Sequence, residues 1–242
     1  DSVEAGGTNN VAIGDNAGTA ITTGDNNTAV GKDALTATTT SANNTAIGSC
    51  ALDANTTGSS NTAVGRNSLG SNTDATFNTA VGHNSLATNS TGDNNTGIGY
   101  NALVSNTTAS NNTSVGYLSL CANTTGAQNT ALGRGALSCN TTASSNTAVG
   151  YNSSFCNTTG TNNTSVGCVS LNKNTTGDNN TAIGRSALQA NTTADSSTAV
   201  GYLSLLVNTT GANNTALGSL TLCSNTTGTG LVAVGVEALD AN

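Results

Sequence analysis

The sequence predicts an all-β fold, a parallel β-solenoid (β-roll) of 14 coils with a 17-residue period, on three observations. The first is the segment Asn-Thr-Ala-Val-Gly, which returns every 17 residues without insertion or deletion, its glycine falling at Gly14, Gly31, Gly48 and onward to Gly235. A fixed period marks a unit that buries its apolar side chains by stacking on its neighbours. The second is a pair of aliphatic files at fixed phase with a glycine between them, a spacing that suits no amphipathic helix. The third is the remainder of the repeat, commonly Asn-Thr-Thr-Gly, which is poor in helix formers and rich in turn residues. The chain is read as one domain, 1–242, with an irregular start at 1–9 and regular coils at 10–242.

Each element of the coil follows in order, counting the first Asn of the pentapeptide as position one. The pentapeptide reads as a strand, so Thr62 and Val64 share one face while Asn61, Ala63 and Gly65 share the other. The two end copies carry Val11 and Val232 in place of Thr, which predicts that the Thr-Val face points inward. The fourth position is aliphatic from Ile13 to Val234. The ninth is leucine from Leu35 to Leu239 except at Ser154, and the first copy has Gly18 there. The valine and leucine files are expected to form a thin core, with the small third and eighth positions beside them. Two or three short strands and glycine corners then close one coil. The next coil stacks about 4.8 Å above it, and fourteen coils measure roughly 65–70 Å. Asn and Thr files are placed to hydrogen-bond up and down as ladders.

Composition excludes several functions. The net charge is −7 and only five residues are Lys or Arg (Lys32, Arg66, Arg134, Lys173 and Arg185), so no groove can track the phosphates of a nucleic acid. No apolar run reaches membrane-spanning length, so no membrane insertion is expected. No signal peptide precedes Asp1, which suggests a mature form or a fragment. No metal-ligand spacing, cofactor motif or catalytic constellation occurs, and His83 has no triad partner. The chain is therefore read as a non-enzyme without cofactor.

A thin core invites association. Two large side chains per coil, at roughly 1.5–3 kcal/mol each, must offset the ordering of a whole coil. The apolar residues flanking the leucine file are the candidate lateral interface: Tyr117, Leu118, Phe155, Tyr202, Leu203, Leu206, Val207 and Leu220, with Tyr151 beside them. The alternative is that some fold back over the edge of the core.

Cys139 and Cys156 share a phase on adjacent coils, which puts their Cα atoms about 5 Å apart, within disulfide range. Cys121 competes as a partner, while Cys50, Cys168 and Cys223 have no neighbour at matching phase. Such a bond would suit an oxidising, extracellular setting; small apolar fillers are the alternative. The twelfth-position sequons Asn55, Asn89, Asn106, Asn123, Asn140, Asn157, Asn174, Asn191, Asn208 and Asn225 are candidate glycosylation sites, or else ladder and turn residues. Asp25, Asp93, Asp178 and Asp195 share a turn phase and are read as turn caps rather than as a calcium ladder.

Val11-Ala12-Ile13-Gly14 and Val232-Ala233-Val234-Gly235, with Thr-Ala-Val-Gly between them, resemble the head repeats of trimeric autotransporter adhesins. They are similar also to repeats of phage tail fibres and large bacterial surface proteins. The resemblance covers Asn10 to Asn242 through one pentapeptide per coil. It implies a trimer on a cell surface or virion fibre, with a cell-surface or glycan ligand. The coil here is longer than the adhesin's, carries the Asn-Thr-Thr-Gly segment, and shows no stalk or anchor.

The expectation is thus a structural or adhesive extracellular fibre or filament subunit, a self-associating chain that polymerises head to tail through uncapped ends or pairs laterally through an apolar side stripe. The alternative is an ice-binding solenoid using Thr and Asn ladders, against which the inward Thr file weighs. A polysaccharide-degrading fibre would need aromatic platforms and paired carboxylates, which this sequence does not supply.

Overall fold

A computed structural model describes residues 7–240, so residues 1–6 of the irregular start, and 241–242, lie outside the described residues. By its contacts the chain divides into two compact units, Asp1–Thr125 and Gly126–Asn242. The first unit holds β1 (Val11–Ile13), β2 (Thr28–Val30), β3 (Thr45–Ile47), β4 (Thr62–Val64), β5 (Thr79–Val81), β6 (Thr96–Ile98) and β7 (Thr113–Val115). The second holds β8 (Thr130–Leu132), β9 (Thr147–Val149), β10 (Thr164–Val166), β11 (Thr181–Ile183), β12 (Thr198–Val200), β13 (Thr215–Leu217) and β14 (Val232–Val234). Within each unit every strand pairs in parallel with the next, like residue on like residue: Thr62 on Thr79, Ala63 on Ala80, Val64 on Val81. The fold is the expected parallel β-solenoid.

Each coil has one strand, not two or three. The coils still hydrogen-bond to their neighbours outside it, as Leu69 N does to Ser85 O (3.0 Å) and Ser71 N to Ala87 O (2.9 Å). Only the pentapeptide stays extended, because the backbone enters the left-handed region repeatedly after it. In one coil Gly65 has φ +134°, Asn67 +55°, Leu69 +50° and Phe77 +59°. The glycine is required twice over. A Cβ on Gly65 would sit 2.5 Å from the carbonyl oxygen of Gly82 in the next coil, as well as demanding a dihedral that other residues avoid.

The alternation along the strand is as expected, but its sense is reversed. The third-position residue is the buried one, Ala29, Ala63 and Ala148 all being 0% exposed, while the second and fourth positions face outward. Val11 is 46% and Val232 70% exposed, so the end-copy valines do not mark an inward face. The reason is the width of the coil. At Gly97 in β6, even a Cβ would lie 2.6 Å from Ser85 Oγ and 3.2 Å from Leu86 Cγ, so a methyl group there already needs Ser85 to turn aside and the branched side chain of Val has no room. The core is therefore the ninth-position leucines, the third- and eighth-position small residues, and two asparagine files. In the second unit Leu171, Leu188, Leu205 and Leu222 pack with Ala182, Ala187, Ala199 and Ala216.

Buried asparagines complete the interior. Position-one residues run as a ladder, with Asn44 N donating to Asn27 Oδ1 (3.0 Å) and Asn44 Nδ2 to Gly58 O (2.9 Å). Position-twelve residues form a second, with Asn191 Nδ2 donating to Asn174 Oδ1 and Asn174 Nδ2 to Asn157 Oδ1, both at 2.8 Å. The exception in the leucine file also has a partner set. Ser154 is 2% exposed, and its hydroxyl lies 2.8 Å from Ser165 Oγ, which also accepts from Ser153 Oγ at 2.6 Å. A small hydroxyl cluster there takes the place of one leucine.

Candidate functional site

The strand presents two files to the outside. The fourth-position aliphatics stand proud, Ile13 at 58%, Ile47 at 41% and Ile183 at 39% exposure. The second-position threonines stand beside them, from Thr28 in β2 to Thr113 in β7 and from Thr130 in β8 to Thr215 in β13. None of these threonine hydroxyls has a hydrogen-bond partner among the described residues. The other threonine file behaves differently. In the turn, Thr56 Oγ1 donates to Thr73 O (2.9 Å), Thr158 Oγ1 to Thr175 O (2.9 Å) and Thr175 Oγ1 to Thr192 O (3.0 Å). The first turn threonine ties coils together, and the strand threonine makes no such tie among the described residues.

Beyond the glycine corner comes position six. It holds all four tyrosines (Tyr100, Tyr117, Tyr151 and Tyr202), His83, and every basic residue except Lys173. Their stacking follows from the coil spacing. His83 and Tyr100 stack with centroids 5.5 Å apart, and Tyr100 and Tyr117 at 5.4 Å, while Arg66 Nη1 lies 3.2 Å from His83 Nε2. In the second unit Arg134 lies over the Tyr151 ring at 5.5 Å and Arg185 over Tyr202 at 5.8 Å. Tyr100 is stacked between two rings, and Tyr151 and Tyr202 each have an arginine over one face. The sequence held the signal, a shared phase for every tyrosine, but it was read only as part of an apolar stripe.

The residues expected to form a lateral interface lie beyond that corner. Tyr117 and Tyr202 are each 46% exposed and Val207 is 37% exposed. Leu118, Phe155, Leu203, Leu206 and Leu220 are half-buried, each partly packed on its coil and partly open. Tyr202, Leu203, Leu206 and Val207 belong to a single coil of the second unit, with Leu220 on the next.

Cys139 and Cys156 sit at the same position on adjacent coils and are half-buried thiols in the structure. Their backbones are held by successive coils, with Cys139 N donating to Phe155 O (3.0 Å) and Cys156 N to Asn172 O (2.9 Å).

The twelfth-position asparagines are buried in the folded chain. Asn55, Asn89, Asn106, Asn123, Asn140, Asn157, Asn174, Asn191, Asn208 and Asn225 are 0–3% exposed. Their Nδ2 atoms point into the coil, as Asn106 Nδ2 does toward Asn89 Oδ1 (2.8 Å) and Ala109 O (2.9 Å). A sugar on such a nitrogen would have to occupy the core.

The aspartates at the turn phase cap the preceding coil. Oδ1 of Asp25, Asp93 and Asp178 accepts the backbone amides of Thr8 (2.7 Å), Thr76 (2.7 Å) and Thr161 (2.6 Å). Asp195 does the same for Asp178 N at 2.8 Å. The Thr8 amide, then its hydroxyl, hold the exposed Asp25 carboxyl below its ordinary value of 3.8. Burial pushes the Asp53 carboxyl above 3.8, against two backbone amides, and the charge of Asp33 adds to the rise. Among the described residues no group of three His, Cys, Asp or Glu side chains gathers as a metal ion would need. Neither a family model nor a curated protein matches the chain.

Proposed function

We propose that this chain is a structural segment of an extracellular fibre or filament that associates with copies of itself along its leucine- and tyrosine-bearing edge. The observation that carries this reading is the edge of the second unit, where Tyr202, Leu203, Leu206 and Val207 leave a partly open apolar surface on one coil. The thin core supports it. With the valines outward, each coil buries a single leucine among alanines and asparagines, so the apolar term inside one chain is small against the ordering of the coil. Burying the edge against a second chain adds to that term. The resemblance to adhesin heads suggests a surface-exposed fibre, and the position-six file of the first unit, away from Tyr202, is where a glycan or cell-surface ligand would meet it.

Sedimentation velocity over a wide concentration range tests the association. Wild-type protein is expected to sediment as an oligomer, and Leu203→Asn with Val207→Asn as a monomer of unchanged circular dichroism. Leu203 has φ +57°, a conformation asparagine accepts readily, so the change removes apolar surface without straining the turn. A wild-type protein that stays monomeric throughout would overturn the reading.

A further inference from the structure

We infer that the strand face, with its outward threonine and aliphatic files, binds ice. Three observations lead there. The face is built from two repeating side chains only, a β-branched hydroxyl and an aliphatic residue, and no strand contains a charged residue. The register is strict, each strand position on the same position of the next strand at every described pairing within each unit, so from β2 to β7 and from β8 to β13 the hydroxyls recur at one strand spacing, about 4.8 Å along the stack. Each threonine stands two residues from an aliphatic neighbour, roughly 6.6 Å away along the strand. Finally, these hydroxyls make no hydrogen bond among the described residues, in contrast to the first turn threonine of each coil, such as Thr56 and Thr158, whose hydroxyl bonds the next coil.

Such a surface is suited to water that is itself periodic. Aliphatic groups and threonine methyls order the water around them without binding it, and evenly placed hydroxyls anchor that layer. Charged groups would impose their own hydration shells, and the strands have none. An irregular protein surface could match a few of these hydroxyls; a crystal lattice can meet the whole file. The leucine edge used for self-association is a different part of the coil, so this inference does not rest on the fibre reading.

The test is ice shaping and ice-recrystallisation inhibition with the full chain and three variants. Wild-type protein is expected to facet ice crystals and slow their coarsening. Thr164→Lys with Thr181→Lys puts two charged side chains on the outward face of β10 and β11 and is expected to abolish both effects while circular dichroism is retained. Arg185→Gln, on the neighbouring file, should leave them at the wild-type level, and so should Leu203→Asn with Val207→Asn. Retention in that last variant separates ice binding from self-association. Wild-type protein that neither shapes ice nor slows recrystallisation would overturn the inference. Full activity in the double-lysine variant would do the same, as would adsorption to crystalline cellulose or chitin without any effect on ice.

Discussion

Leu137 is fully buried with φ +50°, and the same pairing of burial with a left-handed backbone recurs at Leu35, Leu69, Leu103, Leu188 and Leu205. A non-glycine residue in that region costs roughly 1–2 kcal/mol, and burying a leucine returns about 1.5–3 kcal/mol. The balance explains why the corner keeps leucine where glycine would be unstrained, since glycine would leave the core empty. Leu137→Ala keeps the strain and removes the packing, so it is expected to destabilise the chain by about 2–5 kcal/mol, measured by urea unfolding. A loss within experimental error would mean that the leucine file is not the core. Asn174 tests the polar half of the interior. Its Nδ2 serves Asn157 Oδ1 and Gly177 O, and its Oδ1 accepts from Asn191 Nδ2. Asn174→Ala is expected to cost about 1–3 kcal/mol for the buried groups left unpaired.

At the scale of one coil, the decisive feature is that a single strand and a series of left-handed turns enclose a space narrow enough to admit only alanine, serine or glycine at the third position. Charge is kept outside it with one partial exception. Asp53 titrates above its ordinary 3.8 because burial disfavours the carboxylate. A carboxyl whose folded pKa is raised contributes most below 3.8, and that contribution is lost as pH climbs through the raised value. Ionised Asp53 is thus a burden at neutral pH. Asp53→Asn is expected to raise the melting temperature at pH 7 and to leave it unchanged when both forms are compared below pH 3.8. A lower melting temperature at pH 7 would show that the Asp53 and Ala54 amides, which favour the carboxylate, outweigh burial. Asp25 works in the opposite sense. Its lowered pKa means that its cap on Thr8 persists above 3.8 and fades as pH falls through the depressed value.

For the whole molecule the same repeat yields surfaces of different character. One is the periodic hydroxyl and aliphatic face of the strands, one the stacked tyrosine and cation file, and one the leucine edge. If the leucine edge drives association, high salt should leave the oligomer intact or tighten it, because apolar burial is strengthened by excluded salts while ion pairs are screened. Sedimentation at low and high ionic strength reads this directly, and dissociation by salt would shift the interface to the arginine and aspartate residues instead. Stability of stacked repeats is a sum over coils and their neighbours, so gains at any interface are multiplied along each unit.

The fold class was legible because a strict period admits few architectures, and the leucine file because one large aliphatic residue at fixed phase has nowhere else to go. Alternation along the strand was equally legible: Thr62 and Val64 had to share a face. Which face is inside could not be read from that rule, since parity relates residues to one another and is silent about the space they enter. Val11 and Val232 pointed the wrong way because hydrophobicity was taken as burial. The twelfth-position asparagines left two readings open, glycan sites or ladder residues, and only the stacked coils show that ladders take their nitrogens into the core. By itself the sequence determined the period, the strand and the register; the tertiary structure decided inside from outside, because the width of the coil excludes valine and turns the threonine file toward solvent.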